Sequence, residues 1–191
     1  MSAGEQVRAE LLTIGDEILY GQIVDTNSQW MGAELSRVGI RVIRTTTVGD
    51  VAGDILTAFA EAEQRADIVL ITGGLGPTSD DLTKPCLAQY FNCEMRMHEE
   101  ALVEVTEFFA SRGRALTETN RLQASLPVCC EKITNRLGTA PGMWFERNGK
   151  VFVSMPGVPH EMKVIMTEII LPKLVRKFKT PVIRHTIIRT V

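Results

Sequence analysis

The chain has few of the features that mark disulfide scaffolds and membrane proteins. Among its 191 residues there are four cysteines, and no two of them form a C-x-x-C pair. Because disulfide frameworks are uncommon in cytosolic domains of this size, we expect all four to be reduced thiols. No apolar run approaches the roughly 18–20 residues that cross a bilayer, and the N-terminus lacks the pattern of a signal peptide. These absences predict a cytoplasmic protein with no membrane partner.

The chain also lacks a strong charge of either sign. Its formal net charge of −2 gives no reason to expect a nucleic-acid partner. The sequence shows no Ser-His-Asp order, zinc-ligand spacing or EF-hand loop, so it does not support a catalytic nucleophile or a structural metal. With 45% hydrophobic and 23% charged residues, the composition is that of a globular domain with a buried core.

Segments with strand and helix patterns alternate along the chain. Short runs rich in β-branched residues predict strands, and apolar residues at helical spacing predict the helices between them. Asn148-Gly149 between two apolar runs predicts a hairpin. The predicted strands cover residues 8–14, 40–48 and 67–72, and the predicted helices cover 26–38, 83–91, 99–112, 118–125 and 160–177, with a break near Pro172. This alternation predicts an α/β fold with a mainly parallel sheet, whose ligands bind at the carboxyl ends of the strands.

A glycine-rich loop, residues 72–83, joins the most apolar strand to the next helix. Gly73, Gly74 and Gly76 let a ligand approach the backbone closely, and N–H groups at such a junction bind phosphate. The adjoining Pro77 and Thr78 extend this candidate site, with Thr78 either contacting the ligand or capping the helix. The loop is neither a Walker A motif nor a dinucleotide fingerprint. The simpler alternative is a tight turn with no ligand.

Two adjacent carboxylates, Asp80 and Asp81, follow the glycines. Mg²⁺ is usually held by one or two carboxylates together with water and substrate phosphates, so this pair is the candidate metal site. The alternative is that the two charges only stabilise the helix dipole. Asp50 is open to two interpretations, as the N-cap of a helix or as an active-site acid.

Other polar residues follow strand candidates and are expected at the same edge of the sheet. Asp16 and Glu17 are candidates for binding metal or a ribose hydroxyl, or belong to a solvated turn. Pro156 and Gly157 form a candidate second phosphate-facing turn. The remaining candidates are Glu161, as an acid/base or metal ligand, and Asn120 and Gln123, which are one helical turn apart and either read a base or ribose or are surface residues.

The chain resembles the N-terminal half of competence/damage-inducible protein A (CinA) family proteins. Each matching segment alone is weak, but their order along the chain is specific. The segments are residues 14–27 (IGDEILYGQIVDTN), 48–50 (VGD), 73–83 (GGLGPTSDDLT), 120–124 (NRLQA), 135–142 (NRLGTAPG) and 155–162 (MPGVPHEM).

The resemblance implies a molybdopterin-binding-like domain over residues 1–178, built as a three-layer α/β/α sandwich, with residues 179–191 beginning a linking domain. It also implies hydrolysis of ADP-ribose to AMP and ribose 5-phosphate with Mg²⁺, Mn²⁺ or Co²⁺, Asp81 being the position most tied to the chemistry. A homo-oligomer is expected. The nicotinamide-mononucleotide deamidase domain of full-length family members is not in this sequence.

Two other functions fit the same loop. One is a protein that binds molybdopterin or transfers adenylate to it, since that ligand also carries phosphate. The other is a non-catalytic module for nucleotide sensing or oligomerisation. Release of AMP from ADP-ribose in the presence of Mg²⁺ distinguishes the enzyme from a sensor, which would bind the nucleotide without hydrolysing it.

Overall fold

The computed structural model describes residues 6–78 and 80–180, and its centre is a six-stranded sheet. The first three strands, β1 (Arg8–Ile14), β2 (Arg41–Val48) and β3 (Ile68–Thr72), agree closely with the predicted ones. The other strands of this sheet are β6 (Glu131–Ile133), β7 (Gly142–Arg147) and β8 (Lys150–Met155), and a separate ribbon pairs β4 (Met95–Met97) with β5 (Ser125–Pro127). The order across the large sheet is β2-β1-β3-β8-β7-β6.

Strands β2, β1, β3 and β8 are parallel, while β7 runs antiparallel to both of its neighbours. All five residues of β3 are buried, as expected for a central strand covered on both faces. The β7–β8 connection is the predicted hairpin, in which Asn148 and Gly149 have φ of 53° and 78°. Positive φ at both turn residues matches the right-handed twist of the strands. The mainly parallel sheet is therefore confirmed.

Helices cover both faces of the sheet. They are α1 (Asp16–Leu19), α2 (Thr26–Arg37), α3 (Ala52–Arg65), α4 (Thr83–Tyr90), α5 (Glu99–Ala110), α6 (Glu118–Arg121), α7 (Pro159–Ile165) and α8 (Leu171–Phe178). One apolar core joins the sheet to α2, α7 and α8, and a second joins its other face to α3, α4 and α5. This is the predicted three-layer α/β/α sandwich.

The last helical run continues through the break predicted near Pro172. Between α7 and α8 the backbone makes a π-helical segment, Met166–Ile170. Pro172 lies in the first turn of α8 and has no N–H to donate to the preceding turn. The wider π turn ends directly before α8, so the chain changes helix type here.

Two of the four cysteines form a disulfide, so the prediction of four reduced thiols is wrong. Cys93 and Cys129 are bonded, with their Cα atoms 6.1 Å apart. Strand β4 pairs with β5 so that Met95 faces Pro127, and the same register two residues outward places Cys93 opposite Cys129. Their 36-residue separation hides this pairing in the sequence. Cys86 is buried and free, and Cys130 is free and half-buried.

The predicted linking segment, residues 179–191, lies outside the described residues apart from its first two positions. The domain boundary at residue 178 therefore stays a prediction. Within residues 6–78 and 80–180, no helix is long and apolar enough to cross a membrane.

A buried carboxylate is paired at the far end of the sheet from the strand carboxyl termini. Glu10 is fully buried in β1 and accepts two hydrogen bonds from the guanidinium of Arg65, at 3.1 and 2.9 Å. Thr46 donates a third at 2.9 Å. These bonds raise the pKa of Arg65. The pair fixes the end of α3 to two neighbouring strands.

Replacing Arg65 with Met should therefore destabilise the protein. Removing one partner of a buried ion pair leaves an uncompensated charge, at a cost of about 3 kcal/mol. Arg96→Met is the matched control, because Arg96 pairs with Glu94 at an exposed site and should cost less than about 1 kcal/mol. Urea unfolding of both variants at pH 7 measures the difference, and equal losses would contradict a structural role for the buried pair.

Candidate functional site

The carboxyl ends of β1, β3 and β8 meet at one cleft of about 330 Å³. Thr72 of β3 pairs with Thr13 of β1 and with Met155 of β8, so the loops that follow these strands lie side by side. Nine of the residues predicted from the sequence line the cleft, namely Glu17, Gly73, Gly74, Gly76, Asp81, Gln123, Pro156, Gly157 and Glu161. The predicted convergence on one rim is what the fold produces.

The first glycine of the loop has no room for a side chain. Gly73 has φ of 98°, and a Cβ there would lie 2.0 Å from the backbone oxygen of Ile14. Thr83, the buried first residue of α4, donates its hydroxyl hydrogen to the Gly73 carbonyl at 2.9 Å. Its backbone N–H also bonds the Gly74 carbonyl, at 3.2 Å. The loop is therefore fixed against both the preceding strand and the following helix.

Two N–H groups of this loop remain available to a ligand. In the described part of the chain, no acceptor is bonded to the backbone N–H of Gly74 or Leu75. The N–H of Gly157, across the cleft, also lacks one among those residues. Unpaired N–H groups lining a concave surface form an anion site. The tight-turn alternative stays open, because an N–H group that faces water needs no other acceptor.

Asp81 stabilises the conformation of the glycine loop. Its Oδ1 accepts from the N–H of Gly76 at 2.7 Å, and its Oδ2 accepts from the N–H and hydroxyl of Thr78 at 3.1 and 2.6 Å. The Thr78 hydroxyl therefore binds Asp81 and does not cap α4, whose N-cap is Leu82. Oδ1 keeps one lone pair beyond its bond, whereas Oδ2 already accepts two hydrogen bonds. Asp81 is thus both a structural part of the loop and a carboxylate facing the cleft.

Asp50 is not a helix cap. The N-cap of α3 is Val51, and no side chain caps that helix. Instead, Asp50 accepts a hydrogen bond from the backbone N–H of Asp16 at 3.2 Å. Burial raises the pKa of Asp50, and the carboxylates of Asp16, Glu17 and Asp81 raise it further, against the lowering effect of that hydrogen bond. Four acidic side chains therefore repel one another beside the glycine loop.

These four acidic side chains are the candidates for binding a divalent cation. No set of three or more His, Cys, Asp or Glu residues in residues 6–78 and 80–180 forms a complete metal cage. Mg²⁺ seldom needs one, because it keeps waters and takes oxygens from the substrate phosphates. The hard oxygen donors of Asp81, which lines the cleft, fit that chemistry. Asp80 is exposed and does not line the cleft, so the structure favours Asp81 within the predicted pair.

Glu161 forms part of the opposite wall of the cleft. Its carboxylate accepts from the side-chain amide of Asn135 at 2.7 Å, and Asn135 in turn accepts from the N–H groups of Leu137 and Gly138, both at 3.1 Å. A Cβ at Gly138 would lie 2.2 Å from the Glu161 carboxylate. Glu161 thus positions residues 135–140, which carry Thr139 and Ala140 into the cleft. The sequence motif at 135–142 signalled this loop, but its structural role was not predicted.

A buried lysine, missed by sequence reasoning, lies behind the glycine loop. Lys84 is almost fully buried and donates to both the backbone and side-chain oxygens of Gln123, each at 3.0 Å. Desolvation lowers its pKa to about 8, although the charge of Asp81 opposes the shift. Because the ammonium binds the side-chain oxygen of Gln123, the amide NH₂ is the end left for other acceptors. In the sequence, Lys84 directly follows the glycine-loop motif, and nothing in the local pattern distinguishes it from an exposed lysine.

Several predicted residues do not line the cleft. Asn120 is one, although Gln123 does, because the chain changes from α6 to a 3₁₀ turn (Leu122–Ala124) between them. The Asn120 N–H is capped by the Thr117 hydroxyl. The others are Asp16, Asp50, Pro77, Thr78 and Asp80.

The comparisons with known proteins identify the family. The family model described as "Probable molybdopterin binding domain" matches residues 10–176. The chain belongs to this family. Within it the chain is similar to CinA-like proteins, being 50% identical over 184 residues to one from Cytophaga hutchinsonii and 42% identical over 183 residues to one from Dictyoglomus thermophilum. Each alignment covers 96% of this chain and 44% of the relative, so the chain spans less than half the length of these relatives.

Solved structures agree with this assignment. The chain is similar to the CinA protein of Thermoplasma acidophilum, with 35% identity and a TM-score of 0.78 over 91% of this chain and 99% of that one. The tungsten cofactor synthesizing protein MoaB of Pyrococcus furiosus matches with a TM-score of 0.61 and 22% identity, covering 93% of this chain and 98% of that one. The second likeness shows the shared fold. The resemblance to the CinA family is thereby confirmed.

The buried lysine predicts a specific pH dependence of stability. Between pH 8 and the ordinary lysine value of 10.5, the unfolded chain keeps a proton that folded Lys84 has lost. The Lys84 contribution to stability therefore rises with pH across that window, by about 2 kcal/mol from pH 8 to pH 10, while the raised pKa values of Cys86, Tyr90 and Cys130 act in the opposite direction. Lys84→Met should lack this rise, whereas Lys179→Met, which changes an exposed lysine, should keep it. Urea unfolding at the two pH values tests this, and identical slopes in both variants would contradict it.

Proposed function

We propose that this domain hydrolyses the pyrophosphate of ADP-ribose or a related nucleotide sugar with the help of a divalent cation. The observation that carries the proposal is the pair of free N–H groups at Gly74 and Leu75, next to the Asp81 carboxylate in one cleft. The N–H groups suit a phosphate, while the carboxylates suit the cation that accompanies it. The CinA resemblance supports the choice of nucleotide sugar.

The chain's own residues would bind and orient the ligand. The glycine loop and Gly157 lie on opposite sides of the cleft and offer N–H donors to the pyrophosphate oxygens. Asp81 would hold the cation, with Mg²⁺, Mn²⁺ or Co²⁺ as the candidates. Such an ion polarises a phosphoryl oxygen and neutralises developing charge. Water then adds to one phosphorus and the bridging P–O bond breaks, giving AMP and ribose 5-phosphate.

Asp50, which lies beside the cleft next to Asp16, is a candidate to take a proton from the attacking water. Its raised pKa brings it closer to neutral pH than an ordinary aspartate. A general base works best when its pKa lies near the operating pH. Glu161, with one oxygen bonded to Asn135, lines the cleft and is the other candidate base.

A second candidate function is binding of molybdopterin or transfer of adenylate to it. It is supported by the family and by the fold shared with the MoaB protein named above. The same N–H donors suit the phosphate of a pterin ligand. A non-catalytic nucleotide-sensing or oligomerisation module is the third, and the expected homo-oligomer and cytoplasmic location stay predictions.

Release of AMP from ADP-ribose is the decisive test. The 191-residue chain is incubated with ADP-ribose and Mg²⁺, Mn²⁺ or Co²⁺, with EDTA as the control, and AMP is measured by chromatography. We expect metal-dependent release. Binding of ADP-ribose without release would favour the sensing module, and binding of molybdopterin alone would favour the pterin function.

Asp81→Asn should abolish this turnover while the protein stays folded. The amide cannot match the charge that holds the cation, and it changes the bonds to Gly76 and Thr78 that shape the loop. A small misplacement of the ligand costs about a hundredfold in rate, so we expect at least that loss. Asp54→Asn is the matched control, because Asp54 is an exposed aspartate in the first turn of α3. Normal AMP release by Asp81→Asn would remove Asp81 from the mechanism.

A further inference from the structure

A smaller pocket opens beside the cleft and has no role in the mechanism above. It measures about 130 Å³ and lies between the carboxyl ends of β1 and β3 and the N-terminus of α2. Glu17, Gly73 and Gly157 line both cavities, so the two are continuous. We call it the α2 pocket and define it by the polar residues Thr13, Asp25, Asn27 and Thr72.

Thr72 provides a buried hydroxyl with no partner. The residue is fully buried, and its Oγ1 makes no hydrogen bond within the described structure. Its cross-strand neighbour Thr13 is different, because it donates to Asp25 at 2.8 Å and contacts the Ser28 hydroxyl at 3.2 Å. Nearly all buried polar groups have a partner, so a lone hydroxyl at a pocket wall calls for one supplied from outside the chain.

Asn27 provides a second unpartnered atom in the same pocket. Its side chain is buried, and its amide NH₂ donates to the Gly157 carbonyl at 2.7 Å. That bond fixes which end of the amide is oxygen. The Oδ1 atom is buried and has no partner in residues 6–78 and 80–180. Asn27 therefore connects the α2 pocket to the Gly157 turn of the cleft and leaves an acceptor inside the pocket.

The charges around the α2 pocket indicate which kind of group it takes. The carboxylates of Asp25 and Glu17 line it, and they disfavour a phosphate. Its free atoms are an acceptor and a hydroxyl, which suit a ligand that donates hydrogen bonds. Ile14, Ile18 and Ile23 supply apolar lining for ring carbons. A sugar ring has both features, and it would be joined covalently to a pyrophosphate bound at the neighbouring glycine loop.

We propose that the α2 pocket binds a ribose ring of the nucleotide ligand, with ribose hydroxyls bonded to Asn27 Oδ1 and Thr72 Oγ1. This rests on the proposed function for the class of ligand. It adds a residue pair that would set specificity for a sugar over a bare phosphate.

Thr72→Val is the test variant. Valine keeps the shape and removes a hydroxyl that has no protein partner, so thermal unfolding should show no loss of stability. Ser154→Ala is the matched control: Ser154 is also fully buried with an unpartnered hydroxyl, but it lies on β8 and outside the α2 pocket. Thr72→Ser keeps the hydroxyl and should restore binding.

Calorimetry with Mg²⁺ uses the α,β-methylene analogues of ADP-ribose and of ADP, which are not hydrolysed. We expect Thr72→Val to weaken binding of the ADP-ribose analogue about three- to tenfold, which is the effect of one lost hydrogen bond. Ser154→Ala and Thr72→Ser should stay near the wild-type value. If Thr72→Val weakens binding of the ADP analogue equally, the pocket holds the adenosine ribose. If the affinity for the ADP analogue is unchanged, the pocket holds the terminal ribose.

Three results would overturn the proposal. The first is unchanged affinity of Thr72→Val for both analogues, which would assign the pocket to water. The second is binding of Mg²⁺ alone that Thr72→Val abolishes, which would make it a cation site. The third is no binding of either analogue by the wild type. Because the analogues measure affinity without turnover, a protein that binds them through Thr72 but releases no AMP would refute the hydrolase proposal and keep the ribose pocket.

Discussion

Strand β3 pairs in parallel with β1 on one side and β8 on the other, and the functional rim depends on this constraint. Thr72 is in register with both Thr13 and Met155, so the chain that follows each strand leaves the sheet at the same height. The close approach of Gly73 to Ile14 follows from this register, since only a residue without Cβ fits at 2.0 Å from the Ile14 carbonyl oxygen. The two faces of β3 pack on different apolar cores, so a slip of one residue would exchange the side chains that each core receives.

Polar side chains at this rim mostly hold the loops before any ligand is bound. Asp81 binds the backbone of the glycine loop, Glu161 binds Asn135, and Asn27 binds the Gly157 carbonyl. Each bond pairs a group that would otherwise be buried and unpaired, and together they preorganise the cleft. The remaining unpaired atoms are those to which we propose that a ligand binds. Repulsion among Asp16, Glu17, Asp50 and Asp81 is a cost of this arrangement, and a bound cation would relieve it.

Fold and function are separable in this family. The chain shares its architecture with MoaB at 22% identity, and this similarity shows a common fold without showing a common function. The chemistry of the present domain depends on the set of side chains at the rim. The buried Lys84 beneath Gln123 and the two unpartnered atoms of the α2 pocket belong to this set.

Local sequence patterns predicted the α/β fold with its mainly parallel sheet, the hairpin at Asn148-Gly149 and the convergence of the glycine loop, Glu17 and Gly157 on one edge. These depend on local periodicity, on turn residues and on the rule that parallel strands end together. The tertiary structure decided the rest. The Cys93–Cys129 bond, the burial of Lys84 and the pairing of Asn27 with Gly157 join residues 36, 39 and 130 positions apart. Such contacts depend on strand register and helix packing across the whole domain, and no local pattern in the sequence encodes them.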